Sequence, residues 1–485
     1  MRYRVSETVT NERLIAGSLS MLRPRQQKAI ADVRAAYATG KRAPILCAPT
    51  GAGKTFTAAE IIRSTVAKGN RVWFLAHLKE ILDDTCSRLE RAGISYGRIM
   101  AGARSEPHRD VQVVSVQTAV RRSDLKRPNL IIVDECHLAV ASTYRVVFEM
   151  CGNPLLLGLT GTPCRLDGRG LGEMFDCIVP TCSTGDLIEE GLLAPIKYYA
   201  PSRPDLTAVH MRAGDYARDE LEDIVDQPMI TGDAVKHYRK MCHNRPAVAF
   251  CVSVKHAEHV ADSFRRAGYR AIAVSGESSK QERKDALDML RAGSLDVVCN
   301  AQLWVAGVDV PGIECIILLR PTKSLTFYLQ AIGRGLRLAD GKQHCTVLDH
   351  AGCVFEHGMP DIQREWSLEG RKKKKKTDAP AVKQCPMCFG VHEPAPVCPM
   401  CGHIYTTIQR NGPQQVDGEL VEFTMREAAA LERKEVKEKK KEQASARTLA
   451  ELEVIARDRG YKPGWARRVM AAREAKQAAA SGILR

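Results

Sequence analysis

The chain has 485 residues, too many for one compact core, and that length sets a prior of about three folding units. Hydrophobic residues make up 44%, but the apolar runs are short and broken by charge, so no stretch reaches the length of a membrane-spanning helix. A formal net charge of +15 favours an anionic polymer as partner over a small neutral substrate.

The opening segment, MRYRVSETVTNERL, lacks the apolar core of an export signal, and a cytoplasmic protein is expected. Four of the 17 cysteines are clustered late in the chain. The others, Cys47, Cys86, Cys251, Cys299 and Cys315 among them, are scattered through apolar or helical runs, where a reduced thiol behaves as a small hydrophobe. A disulfide framework is therefore not expected.

From about residue 20 to 200, short apolar runs alternate with amphipathic ones. PILCA (44–48) reads as a buried strand, and TFTAAEIIRSTVAK (55–68) as a helix closed at Gly69-Asn70. RVWFLA (71–76), VQVVSV (111–116), NLIIVDE (129–135) and LLLGLTGT (155–162) repeat the strand signal, the pattern of a parallel sheet covered on both faces.

Between the first strand and its helix lies APTGAGKT (48–55), a turn of small residues that fits a phosphate-binding loop except for alanine at its first position. Backbone N–H groups from Thr50 through Gly51, Ala52 and Gly53 to Thr55 would wrap a β-phosphate, Lys54 would reach the β and γ oxygens, and the Thr55 hydroxyl would ligate Mg²⁺. Alanine at 48 is harmless if it still lies at the strand end with negative φ, because Gly51 and Gly53 keep the inner turn free of β-carbons. Further on, Asp134-Glu135-Cys136-His137 ends an apolar run with carboxylates, delivered to the crevice where the phosphates would lie. Asp134 is placed to hold Mg²⁺ through water, and Glu135 to orient or deprotonate an attacking water. Cys136 is not a nucleophile candidate, since two adjacent carboxylates raise a thiol pKa.

A-x-T-G-x-G-K-T followed by D-E-x-H resembles the superfamily 2 helicases of the DEAD/DEAH-like (DExH) class, where alanine is common at that first position. The resemblance implies two RecA-like lobes, ATP as cofactor, and nucleic acid as partner. Leu22-Arg23-Pro24-Arg25-Gln26 resembles the adenine-recognition element, with Gln26 at the base edge. The aromatic residue that precedes this element in DEAD-box RNA helicases is absent. FLAHLKEIL and SVQTA resemble strand-contacting motifs. Leu159-Thr160-Gly161-Thr162-Pro163 resembles the motif that couples hydrolysis to nucleic acid, with Thr160 and Thr162 as its hydroxyls, and His137 joins them as an implied coupling residue.

The alternation pauses around 200–230 and resumes with PAVAFCVS (246–253), YRAIAVSG (269–276), LDVVCNA (295–301), CIILLR (315–320) and HCTVLDH (344–350), a second α/β lobe. In it, AVAFCVSVKHAEHVADSF resembles the family's fourth motif. Val305-Ala306-Gly307-Val308-Asp309-Val310-Pro311 resembles the fifth, with Asp309 near the ribose. Gln330-Ala331-Ile332-Gly333-Arg334-Gly335-Leu336-Arg337 places two arginines on one helix face. By resemblance, Gln330 joins the catalytic group, and Arg334 and Arg337 act as arginine fingers on the γ-phosphate. The matching motifs run in family order over roughly residues 20–350.

After residue 365 the composition changes. Cys385-Pro386-Met387-Cys388 and Cys398-Pro399-Met400-Cys401 form two C-x-x-C knuckles that could converge on one tetrahedral site, best suited to Zn²⁺. Rubredoxin-like iron and a redox disulfide pair also fit the spacing. RKKKKK (371–376) is either a phosphate-contacting run or a solvated linker. Thr448 to Glu451 forms a capping box ahead of LAELEVIARDR. RGYKPGWARRVMAAR resembles the terminal segment of a bacterial and phage helicase branch related to XPB-like repair helicases, in keeping with a bacterial cytoplasm. Tyr461 and Trp465 either contact DNA or a partner, or pack into a small core.

The expected fold is α/β: residues 1–20 a lead-in, 21–204 lobe 1, 205–229 a connector, 230–365 lobe 2, 366–382 a lysine-rich linker, 383–405 a zinc ribbon, and 406–485 a charged linker with a helical hairpin. The expected function is ATP-dependent movement along nucleic acid, DNA rather than RNA, with no membrane partner. Replication, recombination or repair proteins are candidate partners of the C-terminal region. A double-strand translocase without strand separation and an ATP-gated binding clamp are the alternatives.

Overall fold

The computed structural model describes residues 22–369, 381–405 and 442–480, apart from 166–169, 302–311, 460–463 and isolated positions. Asp309, the RKKKKK run and Tyr461 lie outside the described residues. Seven strands build the first sheet: β1 (Pro44–Cys47), β2 (Val72–Ala76), β3 (Gly97–Ile99), β4 (Val111–Ser115), β5 (Leu130–Asp134), β6 (Leu155–Thr160) and β7 (Cys177–Pro180). Their order is β3-β4-β2-β5-β6-β1-β7, all parallel.

Alternate residues of these strands feed opposite cores, as pleating requires. Leu46, Phe74, Ile132 and Leu157 face the helices Pro24–Ala38, Lys54–Val66 and Lys79–Arg91, while Ile45, Trp73, Ile131 and Val133 pack with Val147 and Phe148 on the other side. Ile132 and Ile131 are wholly buried, each stabilising the sheet by about 1.5–3 kcal/mol relative to an exposed side chain. Because the strands are parallel, β1, β5 and β6 all present their C-terminal ends, Cys47, Asp134 and Thr160, to one crevice. Gly69 takes φ +74° just past the helix Lys54–Val66, the left-handed stop read from the sequence.

The next strand, β8 (Ile196–Tyr199), corrects the boundary placed at residue 204. It pairs parallel with a strand of the second sheet, Val347 opposite Tyr198, so the chain changes lobes between Pro180 and Ile196. One isolated strand carries no signal of which sheet it joins; pairing 150 residues downstream decides it. The connector expected at 205–229 also proves to be built structure. It contains the antiparallel hairpin of β9 (Met211–Arg212) and β10 (Asp215–Tyr216) and the helix Arg218–Val225, whose Leu221 and Val225 pack on Val252 of lobe 2.

β11 (Ala247–Cys251), β12 (Ala271–Val274), β13 (Val297–Ala301), β14 (Cys315–Leu318) and β15 (Cys345–Asp349) complete the second sheet, in the order β12-β13-β11-β14-β15-β8, again all parallel. Tyr198, Phe250, Ile316 and Val347 share its core with Ala331 and Ile332 of the helix that follows β14 and with Leu336 just past it.

The cysteine segment, with β16 (Lys383–Gln384) and β17 (Val391–His392), is not a free-standing module. Gly390 bridges Tyr199, the Ala200 amide donates to the Phe389 carbonyl at 3.1 Å, and Val391 is wholly buried in the lobe 2 core. The described residues 442–480 belong to a second unit. In it the helices Leu449–Asp458 and Trp465–Ala480 pack through Leu452, Ile455 and Ala466, and the expected capping box is present, the Glu451 amide donating to Thr448 Oγ1 at 3.3 Å. Trp465 packs against that small core, one of the two roles left open for it. Among the described residues no helix is long and apolar enough to cross a membrane.

Candidate nucleotide site and metal centre

The loop after β1 is tightly wound. Gly51 and Gly53 take φ +89° and +84°, and Gly53 caps the helix Lys54–Val66. A β-carbon on Gly53 would lie 2.3 Å from Gln26 Nε2, and one on Gly51 2.7 Å from Leu193 Cδ2, so neither position admits a larger residue without displacement. Ala48 extends β1, its amide donating to the Thr160 carbonyl at 2.9 Å, and its φ is not positive; alanine is accommodated there as the sequence suggested. Lys54 folds back into the loop, donating to the Ala48 carbonyl at 2.9 Å. Gln26 is buried beside the loop, and its Oε1 accepts from the Arg23 amide at 3.0 Å.

Asp134 and Glu135 stand at the end of β5 on the cleft floor. Glu135 has φ +46°, a left-handed conformation strained for a side chain of this size, at a position where strain commonly marks function. Burial and the neighbouring Glu135 charge raise the Asp134 pKa; burial raises that of Glu135, opposed by Lys54 and Arg334. His137 shares a 3.0 Å hydrogen bond through Nδ1 with Thr160 Oγ1, which also accepts from the Thr162 amide at 3.0 Å. Burial, with help from His77 and Lys54, pushes the His137 pKa down to about 4, so the ring is neutral. The three expected coupling residues thus form one hydrogen-bonded chain. Glu135 Oε2 and Thr162 Oγ1 are buried without a hydrogen-bond partner. Cys136 is wholly buried with its thiol pKa raised well above the ordinary value by burial and both carboxylates, which fits its exclusion as a nucleophile.

Across the cleft stands the lobe 2 helix Leu325–Gly335. A β-carbon on Gly333 would lie 3.1 Å from Thr50 Cβ, so this helix packs directly on the phosphate loop. Thr326, in its first turn, has its Oγ1 3.7 Å from Cys164 Sγ of lobe 1. Arg334 is buried, its pKa pushed down to about 10 by that burial, with Glu135 and Asp84 drawing it the other way. Arg337 is also pushed down to about 10, by burial and by the positive charge of Arg88. The helix ends at Gly335, so Arg337 lies just past it rather than a full turn along the same face. Both guanidiniums remain charged at neutral pH. A cavity of about 240 Å³ between the lobes is walled by Thr50, Lys54, Glu135, Thr162, Gln330 and Gly333.

Sequence reasoning missed several groups here. Arg88, from the helix Lys79–Arg91, pairs with Asp84 at 2.7 Å and places Nη1 3.5 Å from Thr55 Oγ1. Its only signal was an ordinary i,i+4 ion pair. Arg364 and Trp366, which close the cavity from the segment after lobe 2, lie in irregular chain that carries no periodicity to read.

The four late cysteines do converge. The sulfurs of Cys385, Cys388, Cys398 and Cys401 all lie within 4.8 Å of one another, with Cys385 to Cys401 at 3.6 Å and Cys388 to Cys398 at 3.8 Å. A tetrahedral ion with metal–sulfur bonds of about 2.3 Å would hold its sulfurs about 3.8 Å apart, so the donor set fits one ion.

Comparison with known proteins agrees with this arrangement. Residues 19–165 match the family model "Type III restriction enzyme, res subunit", and residues 233–339 match "Helicase conserved C-terminal domain". A "51.5 kDa protein" of Lactococcus phage (isolate 7-9) is 32% identical over 377 residues, 77% of this chain and 80% of the phage protein. "Putative ATP-dependent helicase IRC3" of Saccharomyces cerevisiae is 29% identical over 362 residues; the match covers 69% of this chain but only 52% of the yeast protein. The solved fragment of "a putative HsdR subunit of a type I restriction enzyme from Vibrio vulnificus YJ016" shares the fold at a TM-score of 0.56 and 23% identity, covering 74% of this chain and 69% of the fragment. With both lobes matched in order and the DExH residues gathered at one cleft, the chain belongs to the superfamily 2 helicases.

Proposed function

We propose that this chain is a DNA motor that hydrolyses ATP between its two lobes and turns closing and opening of the cleft into movement along the strand. One observation carries the reading: the helix bearing Arg334 packs on the phosphate loop at Gly333 and Thr50, with Arg334 and Glu135 near enough for their charges to act on each other. Lys54 and the backbone of Thr50 to Thr55 hold the β and γ phosphates. Bound at Thr55 and Asp134, Mg²⁺ would neutralise charge on those phosphates; the like-charged carboxylates and Glu135 Oε2, which makes no hydrogen bond and has the His137 ring 3.4 Å away, suit a divalent cation and a positioned water. Glu135 aligns the attacking water and takes its proton.

Arg334 and Arg337, with Gln330 beside them, stabilise charge developing on the γ-phosphate, so lobe 2 gains charge-assisted contacts only while that phosphate is present. His137, Thr160 and Thr162 pass the change at Glu135 to the strand-contacting loops. Gln26 serves the base edge, and Asp309 the ribose. We assign the four-thiolate cluster to a structural Zn²⁺ that fixes residues 381–405 on the edge of lobe 2.

DNA is favoured over RNA by the restriction enzyme subunits among the similar proteins, while the net charge of +15 suits either polyanion. The same similarity favours a second reading, translocation on duplex DNA without strand separation. ATPase rates of the full chain with single-stranded, duplex, forked and RNA ligands test the first step; a Lys54→Ala variant that kept full stimulated activity would remove the reading. A strand-separation assay run beside triplex displacement then divides the alternatives. A helicase gives both signals, a translocase only displacement, and an ATP-gated clamp neither.

A further inference from the structure

The hairpin that follows β8 is more than a connector. Asp215, at the start of β10, turns its carboxylate onto the segment that joins β14 to the arginine-bearing helix. Oδ1 accepts from the Lys323 amide at 2.7 Å, and Oδ2 accepts from Thr322 Oγ1 at 2.8 Å and from Arg320 Nη2 at 3.2 Å. The side chains of Asp215 and Arg320 are only 16% and 11% exposed, so these bonds are shielded from water.

The contacts continue into the helix. Thr322 Oγ1, whose O–H donates a hydrogen bond to Asp215, accepts from the Ser324 amide at 3.0 Å, and Ser324 Oγ accepts from the Phe327 amide at 3.1 Å as the N-cap. The Arg320 guanidinium lies 4.4 Å over the Phe327 ring. A single carboxylate thus sets both the cap and the first turn of the helix whose far end carries Gly333 and Arg334. That helix has 11 residues. At about 1.5 Å per residue, a tilt of roughly 5° at its start moves its far end by about 1.4 Å. A misplacement of about 1 Å at a reacting centre can cost on the order of a hundredfold in rate.

We infer that Asp215 is a positioning residue for the arginine fingers: through Arg320, Thr322 and Lys323 it fixes the direction from which Arg334 meets the γ-phosphate. It does not line the nucleotide cavity, so its loss acts on the chemical step and not on ATP binding. The inference rests on the ATPase reading above. A native chain without nucleic-acid-stimulated ATPase would overturn that reading, a result distinct from those that bear on Asp215.

The test is steady-state ATPase of the full chain at saturating nucleic acid, with thermal melts as a check of folding. Asp215→Ala lowers kcat by roughly tenfold to a hundredfold while KM for ATP stays within about threefold, and Thr322→Val, which breaks the relay but keeps the Lys323 bond, lowers kcat by less. Asp215→Asn, which retains one acceptor for the Lys323 amide, falls between native and alanine. A folded Asp215→Ala protein with kcat within about twofold of native, or with its loss confined to KM, overturns the inference. If alanine does not fold, Thr322→Val carries the same two outcomes.

Discussion

The two walls of the cleft are built by different means. On the lobe 1 wall the side chains that would carry the chemistry sit at strand ends or just past them: Thr50 and Lys54 after β1, Asp134 and Glu135 at the end of β5, Thr160 and Thr162 at the end of β6. Neighbouring strand ends are tied together, as by the 2.9 Å bond from the Ala48 amide to the Thr160 carbonyl. On the lobe 2 wall, Gln330, Arg334 and Arg337 ride on one helix and the turn after it, secured at its start by Asp215 and Ser324. A sheet edge holds its groups in one rigid frame, whereas a helix anchored at one end can pivot. Lobe 1 substitutions should therefore act by deleting chemistry, and lobe 2 substitutions by misaiming it.

Deletions give the largest effects. Glu135→Gln removes the proton acceptor and is expected to lower kcat by about 10²–10⁴-fold, and Arg334→Ala by on the order of 10³-fold or more. ATPase assays with saturating nucleic acid measure both. Arg334→Lys sharpens the contrast, because it keeps the charge and loses the rigid fork; little recovery is expected if aim matters on this wall. Full recovery would mean that charge alone suffices there, and the comparison would fail.

Two glycines on the same helix separate aim from packing. A β-carbon at Gly333 would press on Thr50 at 3.1 Å, across the lobe boundary, whereas one at Gly335 would meet Cys345 Sγ at 2.5 Å and Ile316 Cγ1 at 2.7 Å inside lobe 2. Gly333→Ala is expected to lower kcat about tenfold with an unchanged melting temperature. Gly335→Ala overpacks a closed core and costs about 1–3 kcal/mol of stability. Melting curves and ATPase rates on both variants decide this, and parallel behaviour of the two would break the distinction.

How much of this the sequence revealed follows the same division. The lobe 1 wall was legible because a phosphate loop must sit between an apolar strand and a helix, and an acidic pair must end a buried strand; local pattern dictates both. Lys54, Asp134 and Glu135 could be located without any structure. The facing of Gly333 and Thr50 could not, because it depends on how two sheets pack across some 280 residues of chain. Asp215 looked like one acid in an acidic connector, and its partners at 320–323 become visible only when the hairpin folds back. β8 was misassigned for a related reason, since its lobe is fixed by hydrogen bonds to β15 and not by its own residues. The C-x-x-C spacing announced the sulfur cluster, but not that Val391 beside it would complete the lobe 2 core.

That docking ties the sulfur cluster to the edge of lobe 2. Metal removal by a chelator should loosen residues 381–405 and with them their grip on β8, where the Ala200 amide donates to Phe389 and Gln384 Nε2 donates to the Ala200 carbonyl. Hydrogen exchange at Tyr198 to Ala200 is expected to rise by roughly an order of magnitude or more, with Ile45 to Cys47 unchanged. Equal response of β8 and β1 would mean that metal holds the whole lobe pair rather than one strand.

The smallest effect turns on the charge stored in the lobe 1 wall. The Asp134 pKa is raised by burial and by Glu135, and that of Glu135 by burial. Unfolding exposes both to water, where carboxyls ionise near pH 4. Above that pH the folded state holds more protons than the unfolded one, so this pair's contribution to stability is fully present below pH 4 and is lost as pH rises through the raised folded values. Glu135→Gln removes one buried charge and relieves its neighbour. At pH 8 the variant should outlast the native protein by about 1 kcal/mol, roughly 2–4 °C in Tm for a unit of this size, and the gap should close toward pH 4, where glutamine and protonated glutamate are nearly isosteric. Melts at pH 4.5, 6 and 8 measure it. A gap independent of pH would assign the gain to packing, whereas a gap that opens with pH would show that the wall which deletes chemistry most sharply also carries an electrostatic cost in the resting enzyme.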